Sequence, residues 1–306
     1  MALLMTPRIM RKAVKIACIQ FASGPQKSIN LEVARTHVLA AAANGAGIVV
    51  LPECFNSPYS TAAFPEYAEV LHPSPPPRDA SPTFYALASM AQEAGVYLIG
   101  GSIPELESHT QKIFNTCLVF SPSGVLLGFH RKAHLFNVDF PTMSFRESDV
   151  LSPGDAVTII DLEDVGKIGL GICFDVRFPE PAHIAARLGA FCLIYPSAFN
   201  STTGPLHWDL LSRARALDNQ VFVAMCSQSF SPESDYPAWG HSMVVDPSGK
   251  LMASAARDET IVYADLNDNM IHESRRQVPL ETSRRFDIYP DVSIKAAGAE
   301  SYLKRL

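Results

Sequence analysis

Three reactive side chains each stand just after an apolar run that has the pattern of a strand: Glu53 after IVVLP, Lys132 after VLLGFHR and Cys173 after KIGLGI. In open α/β sheets ligands collect off the carboxyl ends of strands, so an acid, a base and a thiol at such ends can meet in one cleft. Each alone has a plainer reading: Glu53 as a helix cap or ion-pair partner, Lys132 as a solvated side chain, Cys173 as a small core hydrophobe. Together they suit amide cleavage. A free thiol with a pKa of about 8.5 is only a few per cent ionised near neutrality, and the thiolate is the nucleophile, so a base must stand beside it. Glu53 can take that proton and hand it to the departing nitrogen, provided burial raises its pKa toward the working pH. Lys132 would hold the oxyanion, with the backbone N–H of Phe174 as a second donor. The competing arrangement is a Cys-His dyad, for which His130, His134, His207 and His241 are available. No two histidines have i, i+4 spacing with an acid between them, so no metal site is expected, and nothing calls for a cofactor.

The elements that would position these residues come from an internal duplication. NGAGIVVLPECFNS (44–57) aligns with LGAFCLIYPSAFNS (188–201), matching Gly45 to Gly189, Pro52 to Pro196 and Phe55-Asn56-Ser57 to Phe199-Asn200-Ser201. In the same order VYLIGGS (96–102) pairs with VFVAMCS (221–227), and CLVFSPSGVLLG (117–128) with SMVVDPSGKLMA (242–253). Ahead of each set stands a further strand, VKIACIQF (14–21) and KIGLGICF (167–174). Helical patterns fall at 29–44, 81–94, 179–189 and 206–219, so each unit is strand, helix, strand, helix, strand and a hairpin turning at Pro-Ser-Gly. Two such mixed sheets, each with helices on its outer face, bury their inner faces against each other. The expected fold is an α/β four-layer αββα sandwich with internal pseudo-two-fold duplication and one shared core. The proline-rich stretch 72–82 is expected to be a short rigid excursion, and the segment from about Val278 a tail packed on the body or on a partner subunit.

Composition narrows the partners. The 306 residues are 47% apolar and 18% charged, with 25 basic against 31 acidic side chains. That balance, with no basic block, gives no nucleic-acid footprint, and no apolar run is long enough to span a bilayer. A small molecule is the expected partner. Six cysteines without a C-x-x-C suggest neither zinc nor a disulfide framework and fit a reducing compartment, the cytoplasm. Arg8, Arg11, Lys12, Lys15 and Lys27 precede the first acid, faintly like a mitochondrial transit sequence, but Val14 to Phe21 already has the pattern of a strand. The terminal Lys304-Arg305-Leu306 is a near miss to a peroxisomal address.

From about Val14 to Asp291 the sequence resembles the nitrilase superfamily of carbon–nitrogen hydrolases, through LPECFNSPYS, HRKAHLF, LSPG, GICFDVRFPE, YPSAFN, TGPLHW, RARALDNQ and WGHSMVVDPSG, and in particular its ω-amidase branch. The resemblance implies an αββα sandwich, a catalytic triad at Glu53, Lys132 and Cys173, and a second glutamate at Glu147 that steadies the lysine. It implies residues 14–291 as a single carbon–nitrogen hydrolase domain between an N-terminal extension (1–13) and a C-terminal tail (292–306). The implied substrates are 2-oxoglutaramate and 2-oxosuccinamate, cleaved through a cysteine thioester to 2-oxoacid and ammonia by a homo-oligomer, often a dimer. A sister amidase acting on deaminated glutathione or a carbamoyl compound is the nearest alternative; an inactive scaffold or binding protein is the alternative of another class. Two positions depart from the branch: Phe174 stands where tyrosine is common, and Thr142-Met143 follows Pro141 where relatives usually place glycine. A substrate carboxylate needs a cation or several donors, which points to Arg177, with Tyr59, Thr202 and Thr203 as hydroxyl donors. The plainer reading of Arg177 is an ion pair with Asp175 or Glu180, and His207 and Trp208 are expected to pack the helix start after Pro205.

Overall fold

The structure, a computed structural model, describes residues 8–72, 74–140 and 143–289. The sheets follow from side-chain alternation. In β1 (Val14–Gln20), Ile16 and Cys18 turn toward the second sheet while Ala17 and Ile19 turn toward the helices outside. The first half continues through α1 (Lys27–Ala43), β2 (Ile48–Val50), α2 (Phe64–Tyr67), α3 (Pro82–Ala94), β3 (Tyr97–Ile99), β4 (Ile103–Glu107), β5 (Lys112–Phe120), β6 (Leu126–Arg131) and the hairpin β7 (Asn137–Phe140) with β8 (Met143–Arg146). The second comprises β9 (Thr158–Leu162), β10 (Gly166–Leu170), α4 (Pro179–Arg187), β11 (Ala190–Ser197), α5 (Gly204–Asn219), β12 (Phe222–Ser227), β13 (Met243–Val245), β14 (Leu251–Ser254), β15 (Thr260–Leu266), α6 (Asp268–Gln277) and α7 (Leu280–Ser283). The four helices expected from periodicity lie within about two residues of α1, α3, α4 and α5. Ala34, Val38 and Ala41, spaced one helical turn apart, bury the inner face of α1. Pro82 opens α3, and Gly95, in the left-handed conformation, ends it.

The duplication is visible in the pairing. β1, β2 and β3 run parallel, as do β10, β11 and β12, and each trio is followed by an antiparallel hairpin, β5–β6 or β13–β14. The first sheet has the order β15-β1-β2-β3-β5-β4 with β6 on β5; the second is β14-β13-β12-β11-β10-β9. The halves differ where β4 inserts against β5, and where β15, from the end of the chain, pairs antiparallel with β1 along its whole length. Inner-face residues of both sheets share one core, for example Ile16, Ile48 and Val119 with Ile168, Ile194 and Val244, as the four-layer expectation requires.

Gly171, just past β10, makes room for a ring of the neighbouring strand β11. A Cβ there would meet the Tyr195 ring at 2.6 Å and the Asp175 Cβ at 3.1 Å, a clash that any side chain would cause. The described part of the expected N-terminal extension lies against the body. Met10 is 1% exposed, bridges to Gly166, and with Ile9 donates a backbone N–H to Asp268 Oδ1, so residues 9–11 are docked on the body. At the other end α7 follows α6, and Phe286 lies against the Arg187 guanidinium at 4.2 Å, so this part of the expected tail packs on α4. Residues 1–7 of the transit-like stretch, Pro141 and Thr142, the 292–306 tail and the terminal Lys304-Arg305-Leu306 lie outside the described residues.

Candidate active site

Glu53, Lys132, Glu147 and Cys173 converge in one water-excluded spot, the first three fully buried and Cys173 4% exposed. Glu53 sits in the turn after β2, Lys132 is the first residue past β6, and Glu147 opens a 3-10 turn (Glu147–Asp149) after the β7–β8 hairpin. Cys173 begins a second 3-10 turn (Cys173–Arg177) between β10 and α4. Its φ of 47° lies in the left-handed region, costly for a non-glycine residue, and the sharp turn lifts the sulfur off the strand end.

Hydrogen bonds distinguish the two carboxylates. Lys132 Nζ donates to Glu53 Oε1 at 2.8 Å and to Glu147 Oε1 at 2.9 Å. Both Glu147 oxygens are engaged: Oε1 also accepts from the Tyr59 hydroxyl at 2.7 Å, and Oε2 from the Phe136 N–H at 2.6 Å. Glu53 Oε1 takes a second bond from Asn115 Nδ2 at 2.9 Å, and Gln228 Nε2 holds the Glu53 carbonyl at 2.7 Å, but Glu53 Oε2 has no partner. Glu147 is therefore locked in place, whereas Glu53 keeps one oxygen able to exchange a proton.

The charges tune one another. Burial pushes the Glu53 carboxyl above the usual carboxylate range; Lys132 opposes that rise and Glu147 adds to it. Burial alone would pull the Lys132 ammonium down, but the Glu147 and Glu53 carboxylates outweigh it and hold Lys132 well above its ordinary value. Burial, reinforced by Glu53, pushes the Cys173 thiol well up, against opposing effects from Lys132 and the Ala198 N–H. Cys173 therefore rests as a thiol.

Asp175 ties the cysteine and lysine segments together. Its Oδ2 accepts from the Ile172 N–H (2.8 Å) and His130 Nε2 (3.1 Å), and its Oδ1 from the His134 N–H (2.9 Å) and Nδ1 (2.8 Å). Burial would raise this carboxyl, but the bonds from His130 and His134 outweigh it and hold Asp175 far below the usual range. The stability this contributes is present above the ordinary aspartate pKa and lost only as pH falls through the depressed value, so it is constant through neutrality. Asp175→Asn turns an amide NH2 toward one or more of these donors. It is expected to cost about 1–3 kcal/mol of stability. Turnover and Cys173 alkylation by iodoacetamide should fall together, with KM nearly unchanged; an unaltered alkylation rate would show that Asp175 does not position the sulfur.

The other candidates divide. Phe174 packs its ring on Phe136 and Phe178, and its N–H is among the first amides of the 3-10 turn, which lack an intrahelical acceptor. Arg177 pairs with neither Asp175 nor Glu180. Its guanidinium lies over the Phe174 and Phe199 rings, Nη1 meets His207 Nδ1 at 3.1 Å, and its buried Nε has no partner. Burial lowers its pKa, while Cys173 and Tyr236 act to raise it. Tyr59, expected to donate to substrate, donates to Glu147 instead. Thr203 directs its hydroxyl to Asn200 Oδ1 at 3.0 Å, and the Thr202 N–H goes to the same oxygen at 3.1 Å. Trp208 packs on Phe199 and donates to the His241 carbonyl, a structural role, as expected for the helix start. The Cys-His arrangement is not formed: His130 and His134 bind Asp175, His207 meets Arg177 and His241 stacks on Trp239. Among the described residues no group of three or more His, Cys, Asp or Glu could hold a metal ion, and no helix is long and apolar enough to cross a membrane. Unforeseen are Tyr236, a buried phenol whose ring lies 4.5 Å from that of Tyr59, and Arg215, which holds the Val176 and Arg177 carbonyls. Tyr236 lies in a loop without periodicity and gives no sequence signal; Arg215 had one, its place in RARALDNQ.

Comparison with known proteins follows the same lines. The carbon-nitrogen hydrolase family signature matches residues 15–276. Omega-amidase NIT3 of Saccharomyces cerevisiae is 49% identical over 290 residues, 94% of this chain and 98% of the relative. Omega-amidase NIT2 of Xenopus tropicalis is 48% identical over 276 residues, 90% and 96% of the two chains. The crystal structure of Saccharomyces cerevisiae Nit3, a member of branch 10 of the nitrilase superfamily, superposes with a TM-score of 0.84 at 46% identity, covering 92% of this chain and all of that one.

Proposed function

The chain belongs to the carbon–nitrogen hydrolase family of the nitrilase superfamily, and on that premise we propose that Glu53, Lys132 and Cys173 carry out its chemistry, with Glu147 as the positioning carboxylate. It is an ω-amidase, releasing ammonia from the ω-amide of small 2-oxo dicarboxylic monoamides such as 2-oxoglutaramate and 2-oxosuccinamate, as the names of its relatives support. The observation that carries the assignment of roles is the buried Glu53 carboxyl, tied to Lys132 through one oxygen and unpartnered at the other.

Glu53 Oε2 takes the Cys173 proton as sulfur adds to the amide carbon. The carbonyl oxygen becomes an oxyanion, which the Lys132 ammonium and the Phe174 N–H stabilise; one such donor is worth about 3 kcal/mol in the transition state. The carbon–nitrogen bond then breaks as Glu53 returns the proton to nitrogen, and ammonia leaves a thioester on Cys173. Glu53 next removes a proton from water, whose oxygen attacks the thioester, and the 2-oxoacid departs as the thiol reforms. A carboxyl raised by burial suits both acid and base duty, because its pKa lies nearer the working pH.

The substrate's carboxylate pairs with Arg177, whose buried Nε is unpartnered. Arg177→Leu is expected to raise KM for 2-oxoglutaramate by about 10–100-fold, the equivalent of a charge-assisted bond. Hydrolysis of an uncharged aliphatic amide should not change, and an equal loss on both substrates would refute the pairing. Ammonia release from 2-oxoglutaramate, deaminated glutathione and a carbamoyl compound tests the substrate class; preference for either of the latter would move the chain to a sister activity. A silent scaffold is disfavoured by the complete buried carboxylate–lysine–thiol set.

Residues 14–291 form the catalytic domain in this reading, and the protein acts as a homodimer in the cytoplasm, with mitochondria the alternative. Exposed apolar side chains on α4, α5 and the segment after α7, including Ile184, Leu188, Leu206, Leu210 and Phe286, support self-association through that side.

A further inference from the structure

A cavity lies beside the turn that bears Cys173. It holds about 330 Å3, the lower end of the range for small-molecule sites, and none of Glu53, Lys132 and Cys173 lines it. Its apolar wall includes Ala182 of α4 and Leu193 of β11, Val157 stands at its exposed side, and Tyr195, His134 and Asp175 supply polar groups. Tyr195 is only 4% exposed, yet its hydroxyl makes no hydrogen bond among the described residues. His134 Nδ1 is committed to the Asp175 carboxylate, so its Nε2 is an acceptor when the ring is neutral, and Nε2 is likewise unpartnered. Both unpartnered atoms are open to the cavity, where the donor or acceptor of a ligand can reach them.

The lining contains no lysine or arginine and two aspartates, Asp155 and Asp175. It therefore disfavours anions, including the carboxylate-bearing substrate assigned above. We propose that this cavity binds a compact, uncharged aromatic or heteroaromatic molecule carrying one N–H or O–H, held between Tyr195 and His134, and that its occupancy stiffens the turn bearing Cys173. The coupling is steric. The Tyr195 ring lies on Gly171, two residues before the sulfur, and next to Asp175, whose carboxylate holds Ile172.

Calorimetric titration of the full-length protein with indole tests this, with indole-3-acetate as the anionic control. Indole should bind saturably at one site per chain, and indole-3-acetate about tenfold more weakly or worse, a penalty near 1.4 kcal/mol. Val157→Trp, which plugs the exposed side, and Ala182→Leu, which fills the interior, should each weaken indole by about tenfold or more while leaving turnover unchanged. Bound indole should slow iodoacetamide alkylation of Cys173 by about twofold or more without competing with the amide, as selection of one turn conformation requires. No saturable binding, equal binding to both filled variants, competition with the amide, or an unaltered alkylation rate would each overturn the proposal.

Discussion

Cys173→Ala is expected to lose about 10⁵-fold or more in ammonia release while unfolding cooperatively near the wild-type temperature. The loss is this large because base, oxyanion donors and nucleophile act as a unit. With the sulfur gone, Glu53 can only direct water at an unactivated amide. Acyl trapping gives the complementary readout. Intact-mass measurement after brief exposure to substrate at low temperature should find an acyl adduct on the native chain, mapped to Cys173, and none on the variant. Retained turnover would remove the nucleophile assignment and with it the role given to Glu53.

Lys132→Met should injure both activity and fold. In the native chain one ammonium lies within 2.9 Å of two buried carboxylates. Its removal leaves Glu53 and Glu147 facing each other without water, and breaking a buried charge set in this way costs about 3–5 kcal/mol. The sign of the pH dependence follows from Glu53. Its folded pKa is already raised with Lys132 present, and without the ammonium's opposing effect it rises further. A carboxyl with a raised folded pKa favours the folded state when protonated and loses that contribution as pH rises through the folded value. Urea titrations should therefore show a deficit against wild type that is widest at pH 8 and narrows toward pH 5. A deficit independent of pH would mean that packing, not charge, was lost. Turnover should fall by about 10³-fold or more, as for loss of a principal oxyanion donor.

Residues that repeat, or that end a strand, were legible in advance, whereas residues defined by distant partners were not. Gly45 with Gly189, Pro52 with Pro196 and the shared Phe-Asn-Ser exposed the duplication because both copies solve the same turn problem. Glu53, Lys132 and Cys173 could be found because a strand's end fixes where a side chain can face. Asp175, two residues past Cys173, is legible as a residue that lines or braces the cavity, but its partners His130 and His134 are 45 and 41 residues away, so nothing local names them. Residue type alone points Tyr59 and Thr203 at substrate, whereas hydrogen bonds to Glu147 and Asn200 engage both hydroxyls. Met10 carries no sequence sign because a segment this short has no periodicity; its burial depends on Gly166 and Asp268.

The placement of β15 bears on how the molecule could have arisen from two copies of one unit. Seven residue pairs join this strand to β1, so the later half supplies a border for the earlier one's sheet. Separated by gene fission, the front fragment would present an open β-edge, a template for indiscriminate pairing. Reunited as two polypeptides, the fragments would have a built-in means of finding each other, and only then would the acid and the thiol, inherited on different pieces, share a chamber again.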